Sequence, residues 1–110
     1  MAEVLFSKVK ETIISFFTER NININKIVLF GSFSKGTSND ESDIDLIILS
    51  AEFENKSIFQ KAKATDGLEW LLIKETKKPF DILYQSVSEW ENSSNMMIRE
   101  AKQHGIVLYS

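Results

Sequence analysis

LFGSFSKGTSNDESDIDLIIL, Leu29 to Leu49, holds in one run the end of a strand, a polar loop and the start of a second strand. Upstream, Lys26 to Phe30 (KIVLF) is a short β-rich run that stops at Gly31, the pattern of a buried strand ending in a tight turn. Gly31 to Ser42 (GSFSKGTSNDES) is rich in Gly, Ser, Asn and Asp and cannot bury a hydrophobic face, so it reads as a loop with room for one helical turn. Asp43 to Ser50 (DIDLIILS) reads as the second strand. Its first half alternates polar and apolar residues and its second half is apolar throughout, as expected where both faces become covered. The N-terminal end of that strand is therefore the end free for chemistry.

Side chains at i and i+2 of a strand point to the same face, so Asp43 and Asp45 aim at one point. Two such carboxylates repel each other unless a cation sits between them, and hard oxygen ligands favour Mg²⁺ or Mn²⁺. Asp-x-Asp alone equally serves to cap a turn. Two further features favour the metal site. Gly31-Ser32 closes a strand, where a glycine lets a phosphate approach the backbone and a serine adds a hydroxyl donor. Asp81 supplies a third carboxylate near the start of another strand.

Further out, Leu5, Val9, Ile13 and Phe16 or Phe17 recur at helical spacing and predict an amphipathic helix over Glu3 to Arg20, ended by the turn-forming Asn21 to Asn25. Ser57 to Lys78 is helical in composition, with Ile58, Phe59, Ala62, Leu68, Leu71, Leu72 and Glu75 on the period and Gly67 placed to break it in two. Pro79 stops it, and Phe80 to Tyr84 reads as a third strand. Ser88 is the expected N-cap of a short helix carrying Trp90. Met96 to Gln103 reads as another helix with Gly105 as its C-cap, and Ile106 to Tyr109 as a last strand. The order α-β-β-α-β-α-α-β belongs to the α/β (α+β) class, a small sheet flanked by helices.

The totals fit one domain, residues 1–110: 43% of the residues are hydrophobic, enough for one core. A net charge of -3 with both signs interspersed gives no basic field for nucleic acid, so direct nucleic-acid binding is not expected. The absence of cysteine excludes disulfides, thiolate metal sites and a cysteine nucleophile. The opening MAEVLFSKVKETIISFF carries Glu3, Lys8, Lys10 and Glu11 among its apolar residues and reads as neither a signal segment nor a membrane span; a cytoplasmic location is expected.

Taken together, these residues resemble the signature of the nucleotidyltransferase superfamily related to DNA polymerase β, in its minimal nucleotidyltransferase (MNT) form: Gly-Ser, ten residues from Phe33 to Ser42, then Asp43-Ile44-Asp45. Gly36, Ser42 and Leu46 also match the minimal form, Asp81 in PFDIL stands where the third carboxylate is found, and GIVLYS resembles the closing strand. The resemblance implies a mixed sheet and a metal-dependent transfer of NMP from an NTP to a hydroxyl. Asp43, Asp45 and Asp81 would be the catalytic metal ligands for two Mg²⁺ ions (Mn²⁺ as an alternative), with Asp81 also a candidate base. Gly31 and Ser32 would hold the β- and γ-phosphates, with Gly36 and Ser42 in the same loop. Lys35 would either neutralise triphosphate charge or stand as a solvated loop lysine. Phe33 departs from the pattern, since many minimal members carry Arg there; it would pack on the core or border the base.

Stand-alone domains resembling this one are often encoded beside a helical HEPN protein, as the antitoxin of HEPN/MNT toxin–antitoxin pairs. That implies ATP as donor, a tyrosine hydroxyl of the HEPN partner as acceptor, and either a homo- or a hetero-oligomer. Two other readings remain: a module that neutralises its partner by contact without catalysis, and a small-molecule transferase completed by a separate subunit. Among the remaining residues, His104 is expected to cap a helix end, Trp70 and Trp90 to lie in the core, and Met96 and Met97 to be core or partner surface. Lys74, Lys77 and Lys78 are expected to be a solvated helix end or the lining of an acceptor groove.

Overall fold

A computed structural model describes residues 2–36 and 42–110; the middle of the Gly/Ser loop, residues 37–41, lies outside the described residues. The chain runs α1 (Ala2–Glu19), β1 (Lys26–Phe30), α2 (Ser32–Lys35), β2 (Ile44–Leu49), a 3-10 turn (Ala51–Phe53), α3 (Ile58–Ala64), α4 (Leu68–Thr76), β3 (Phe80–Gln85), α5 (Val87–Asn92), α6 (Met96–His104) and β4 (Ile106–Tyr109). The strands form one mixed sheet in the order β3-β2-β1-β4. The pairs β1–β2 and β1–β4 are antiparallel, whereas β2–β3 is parallel, which requires the helical crossover that α3 and α4 supply.

Period-two alternation splits the strand residues between two cores. Ile27, Leu29, Ile44, Leu46, Ile48 and Phe80 meet Val9, Ile13, Phe16 and Phe17 of α1 and Leu68 and Leu72 of α4 on one face. Val28, Phe30, Ile47 and Leu49 meet Ile98 and Ala101 of α6 on the other, with Leu83 and Trp90 packed against them. Coverage of both faces is why Leu46 to Leu49 is apolar at every position. The Asn-rich segment before β1 is stitched to the far end of β2: Ser50 Oγ donates to the Asn23 carbonyl (2.6 Å) and the Ala51 N–H to Asn25 Oδ1 (2.7 Å).

The helical run after Ser57 is two helices, broken at Thr65 to Gly67 where Gly67 is placed to divide it, whereas several other expectations need correction. Ser57 caps the first in a reciprocal box with Gln60, while Gly67 (φ 93) opens the second. With only seven residues α3 has no sustained apolar face, and Ile58 and Phe59 are exposed despite their spacing. Trp70 is also exposed, its ring 5.2 Å from the Lys74 ammonium, while Trp90 does pack on the second core. The N-cap of α5 is Ser86, not Ser88. Strand β3 runs to Gln85, so Ser86-Val87-Ser88-Glu89 begins the helix with serine and glutamate at capping-box spacing, and Ser88 lies inside it. Gly105 does end α6, but in extended backbone (φ -69) rather than the left-handed form; a Cβ there would lie 2.3 Å from the Ala101 carbonyl and 2.6 Å from Val28 Cγ1, so space is the requirement. Met96 and Met97 are exposed and Ile98 is core.

Candidate active site

The end of β1 and the starts of β2 and β3 lie at the same end of the sheet, because β1 is antiparallel to β2 and β2 is parallel to β3. Asp43 immediately precedes β2 and is exposed; Asp45 is the strand's second residue and is half-buried. Asp81, also exposed, is the second residue of β3 and stands in direct register with Asp45. The face they share follows from their neighbours. Asp45 pairs with Phe30 and leads to Ile47 and Leu49, while Asp81 leads to Leu83, so both lie on the α6-covered face, beyond the edge of its apolar core.

Gly31 sits at the end of β1 with φ 73 and ψ -151, a region only glycine enters without strain. It is also where the backbone comes closest to the carboxylates: a Cβ at this position would meet Asp45 Oδ2 at 2.2 Å. The chain then turns back on itself as α2, the one helical turn for which the loop had room. Ser34 Oγ donates to the Gly31 carbonyl (2.9 Å), as does the Lys35 N–H (3.2 Å), and the Gly36 N–H returns to the Ser32 carbonyl. Gly31 and Ser32 are thus brought beside Asp45, and Ser42 enters from the other end of the loop, one residue before Asp43.

Electrostatics tie the three carboxylates together. Asp45 is pushed above the usual aspartate range, first by burial and then by the charges of Asp81 and Asp43. Like charges held at one sheet end fit a divalent cation, which would relieve that repulsion, and the all-oxygen donor set suits Mg²⁺ or Mn²⁺. Among the described residues no group of three acidic, histidine or cysteine side chains is drawn in tightly enough to hold a metal ion; the aspartates act on one another's charge without converging on a point.

Lys35 has a setting that its sequence did not suggest. Its ammonium is ion-paired with Glu100 on α6, which draws the Glu100 carboxyl below the usual glutamate range. A cavity of about 520 Å³ lies there, lined by Lys35, Met96, Arg99, Glu100, Gln103 and His104. His104, the last residue of α6, is exposed and in that cavity rather than among the aspartates. Phe33 packs edge-on against Phe6 (6.1 Å) at the margin of the α1-side core.

A family model described as "Polymerase beta, Nucleotidyltransferase" matches residues 11–110. No curated protein matches the sequence at a significant level. Among solved structures, a chain of a toxin-antitoxin crystal structure with AMP-PNP aligns at 22% identity and a TM-score of 0.64, covering 91% of this chain and 72% of that one. A chain from the tri-AMPylated Shewanella oneidensis HEPN toxin in complex with MNT antitoxin aligns at 20% identity and 0.62, covering 100% and 73%. A putative nucleotidyltransferase from Sulfolobus solfataricus aligns at 14% identity and 0.61, covering 94% and 78%. At these identities the structural likeness shows the shared fold.

Proposed function

The chain belongs to the polymerase β nucleotidyltransferase family, and on that premise we propose that it moves AMP from ATP to a tyrosine hydroxyl of a HEPN-domain toxin, acting as its antitoxin. The observation that carries this reading is the meeting of Gly31-Ser32 with Asp43, Asp45 and Asp81 at one end of the sheet.

In this reading the backbone at Gly31 and the Ser32 hydroxyl hold the β- and γ-phosphates, where the missing Cβ leaves room beside Asp45. Asp43, Asp45 and Asp81 would hold two Mg²⁺ ions, with Mn²⁺ as an alternative, once drawn together by the cations. The ions would supply neutralisation of phosphate charge and favour the deprotonated acceptor oxygen. The acceptor oxygen forms its bond to the α-phosphorus, the bond from that phosphorus to the pyrophosphate oxygen breaks, and the hydroxyl proton passes to Asp81 as base. The role of Asp81 is supported by its register with Asp45.

Two likenesses support the acceptor and donor: the structural neighbours include a toxin-antitoxin complex with AMP-PNP and a tri-AMPylated HEPN toxin with its MNT antitoxin. Exposed Ile58, Phe59 and Trp70 supply apolar surface of the kind that partners cover. No helix among the described residues is long and apolar enough to cross a membrane. Co-expression with the HEPN partner should add AMP-sized increments to the partner's intact mass. Asp43→Asn or Asp45→Asn should abolish them; an unmodified partner beside the wild-type chain, or equal labelling by both variants, would overturn the proposal.

A further inference from the structure

Strand β3 ends the sheet, and among the described residues only its β2 side is paired with another strand. The Pro79 carbonyl accepts from the Ile44 N–H (2.9 Å) and the Gln85 carbonyl from the Ser50 N–H (3.1 Å), so in this parallel register the odd-numbered residues of β3 turn their backbone groups to β2. Phe80, Ile82 and Tyr84 therefore turn theirs to the outer edge. Lys61 Nζ donates to the Tyr84 carbonyl there (3.3 Å) and is itself held by Glu89 (2.8 Å). That closes the edge at its Gln85 end and leaves it open at Ile82.

A cavity of about 820 Å³ lies along this edge. Ile82, Leu83, Tyr84 and Gln85 all line it, and because consecutive strand residues face opposite sides of a sheet, one cavity reaches all four only from the strand's edge. Ile58 of α3 and Trp70 of α4 line it as well, both apolar and both exposed. Its charge is one-sided: Asp66, Glu69 and Glu89 face it, against Lys61 as the one cation among its lining residues, already paired with Glu89. Outward N–H and C=O groups match the backbone of another extended strand, whereas a helix has its backbone groups paired internally. Apolar walls suit alternate side chains of such a strand, and the surplus of carboxylates suits cationic ones.

We infer that the outer edge of β3 is a docking groove for an extended peptide segment of a partner protein, one that alternates apolar and basic residues and joins the sheet as a further strand. Trp70 and Ile58 receive its apolar side chains, and Asp66 and Glu69 its basic ones. The groove does not depend on nucleotide transfer, so its failure leaves the proposed function standing.

Fluorescence anisotropy of a labelled, end-blocked peptide of four Val-Lys repeats, titrated with the full chain, tests it. That peptide should bind and slow amide hydrogen exchange at Ile82, whereas the same peptide with glutamate for lysine should not bind. Methylating every peptide nitrogen removes the hydrogens that the edge carbonyls accept and should weaken binding about tenfold or more. Trp70→Ala should weaken it about as much without changing the melting temperature, since the side chain is exposed. Asp66→Lys combined with Glu69→Lys should shift the preference to the glutamate peptide. Absence of binding, equal binding of the lysine and glutamate peptides, or undiminished binding of the methylated peptide overturns the inference. So does sedimentation of the free chain as a dimer with the Ile82 amide already protected, which makes a second copy the occupant.

Discussion

Asp45 carries a cost in the fold that its proposed role as a metal ligand would explain. Its carboxyl is held above the usual range by burial and by Asp81 and Asp43, so the ionised form is less stable in the folded chain than in the unfolded one. The penalty is absent below the unfolded pKa, grows as pH rises from the unfolded to the folded value, and is complete above the folded value. Asp45→Asn should abolish transfer while raising the stability of the metal-free chain slightly, by at most about 0.5 kcal/mol for a charge that is only half-buried and still screened by solvent. Denaturant midpoints at neutral pH check this, and a clear destabilisation would contradict it. Gly31→Ala should do the opposite to the fold. Its added Cβ meets Asp45 Oδ2 at 2.2 Å in backbone reserved for glycine, at a cost of about 1 to 3 kcal/mol, with transfer falling to background. Of these residues, Asp43 and Asp45 can be read from their spacing to Gly31-Ser32, because both pairs lie on one short segment. Asp81 could be placed at a strand start but not in register with Asp45, since register is decided between strands. Nothing local marks Glu100, whose partner Lys35 is 65 positions away in the sequence.

At the scale of the element, α5 is fixed by a capping box that also anchors the crossover. Ser86 Oγ accepts from the Glu89 N–H (3.1 Å), while Glu89 Oε1 accepts from the Ser86 N–H (2.9 Å) and from Lys61 Nζ (2.8 Å) of α3. Burial acts to raise the Glu89 pKa, but the Lys61 hydrogen bond, the Ser86 contacts and the Lys61 charge outweigh it, and the carboxyl lies below the usual range. The stability this gives is present above the unfolded glutamate pKa, about 4.3, and is lost as pH falls through the lower folded value. Glu89→Gln should flatten that acid limb, as acid titrations followed by circular dichroism would show. Ser86→Ala should cost about 1 kcal/mol in denaturant melts. The helices were legible where they are long: α1 shows its face over eighteen residues, whereas α3 is too short for periodicity to separate Ile58 and Phe59 from core positions. The start of α5 was misread by two residues because Gln85 extends β3 beyond its apolar run.

For the whole molecule, element order was legible and pairing was not. Composition and turn residues mark where strands begin, but the central place of β2 and its parallel partnership with β3 depend on the crossover through α3 and α4. That pairing brings Asp81 beside Asp45, so the candidate site is a property of the sheet rather than of the Gly-Ser loop alone. Release of pyrophosphate from Mg²⁺-ATP in the presence of the HEPN partner tests most directly whether this sheet end transfers a nucleotidyl group, because it reports which phosphate bond breaks. Wild type should release one pyrophosphate per AMP added to the partner, without inorganic phosphate, and Asp43→Asn, Asp45→Asn and metal chelation should each silence it. Release of inorganic phosphate in place of pyrophosphate, or pyrophosphate release undiminished in the aspartate variants, would contradict it.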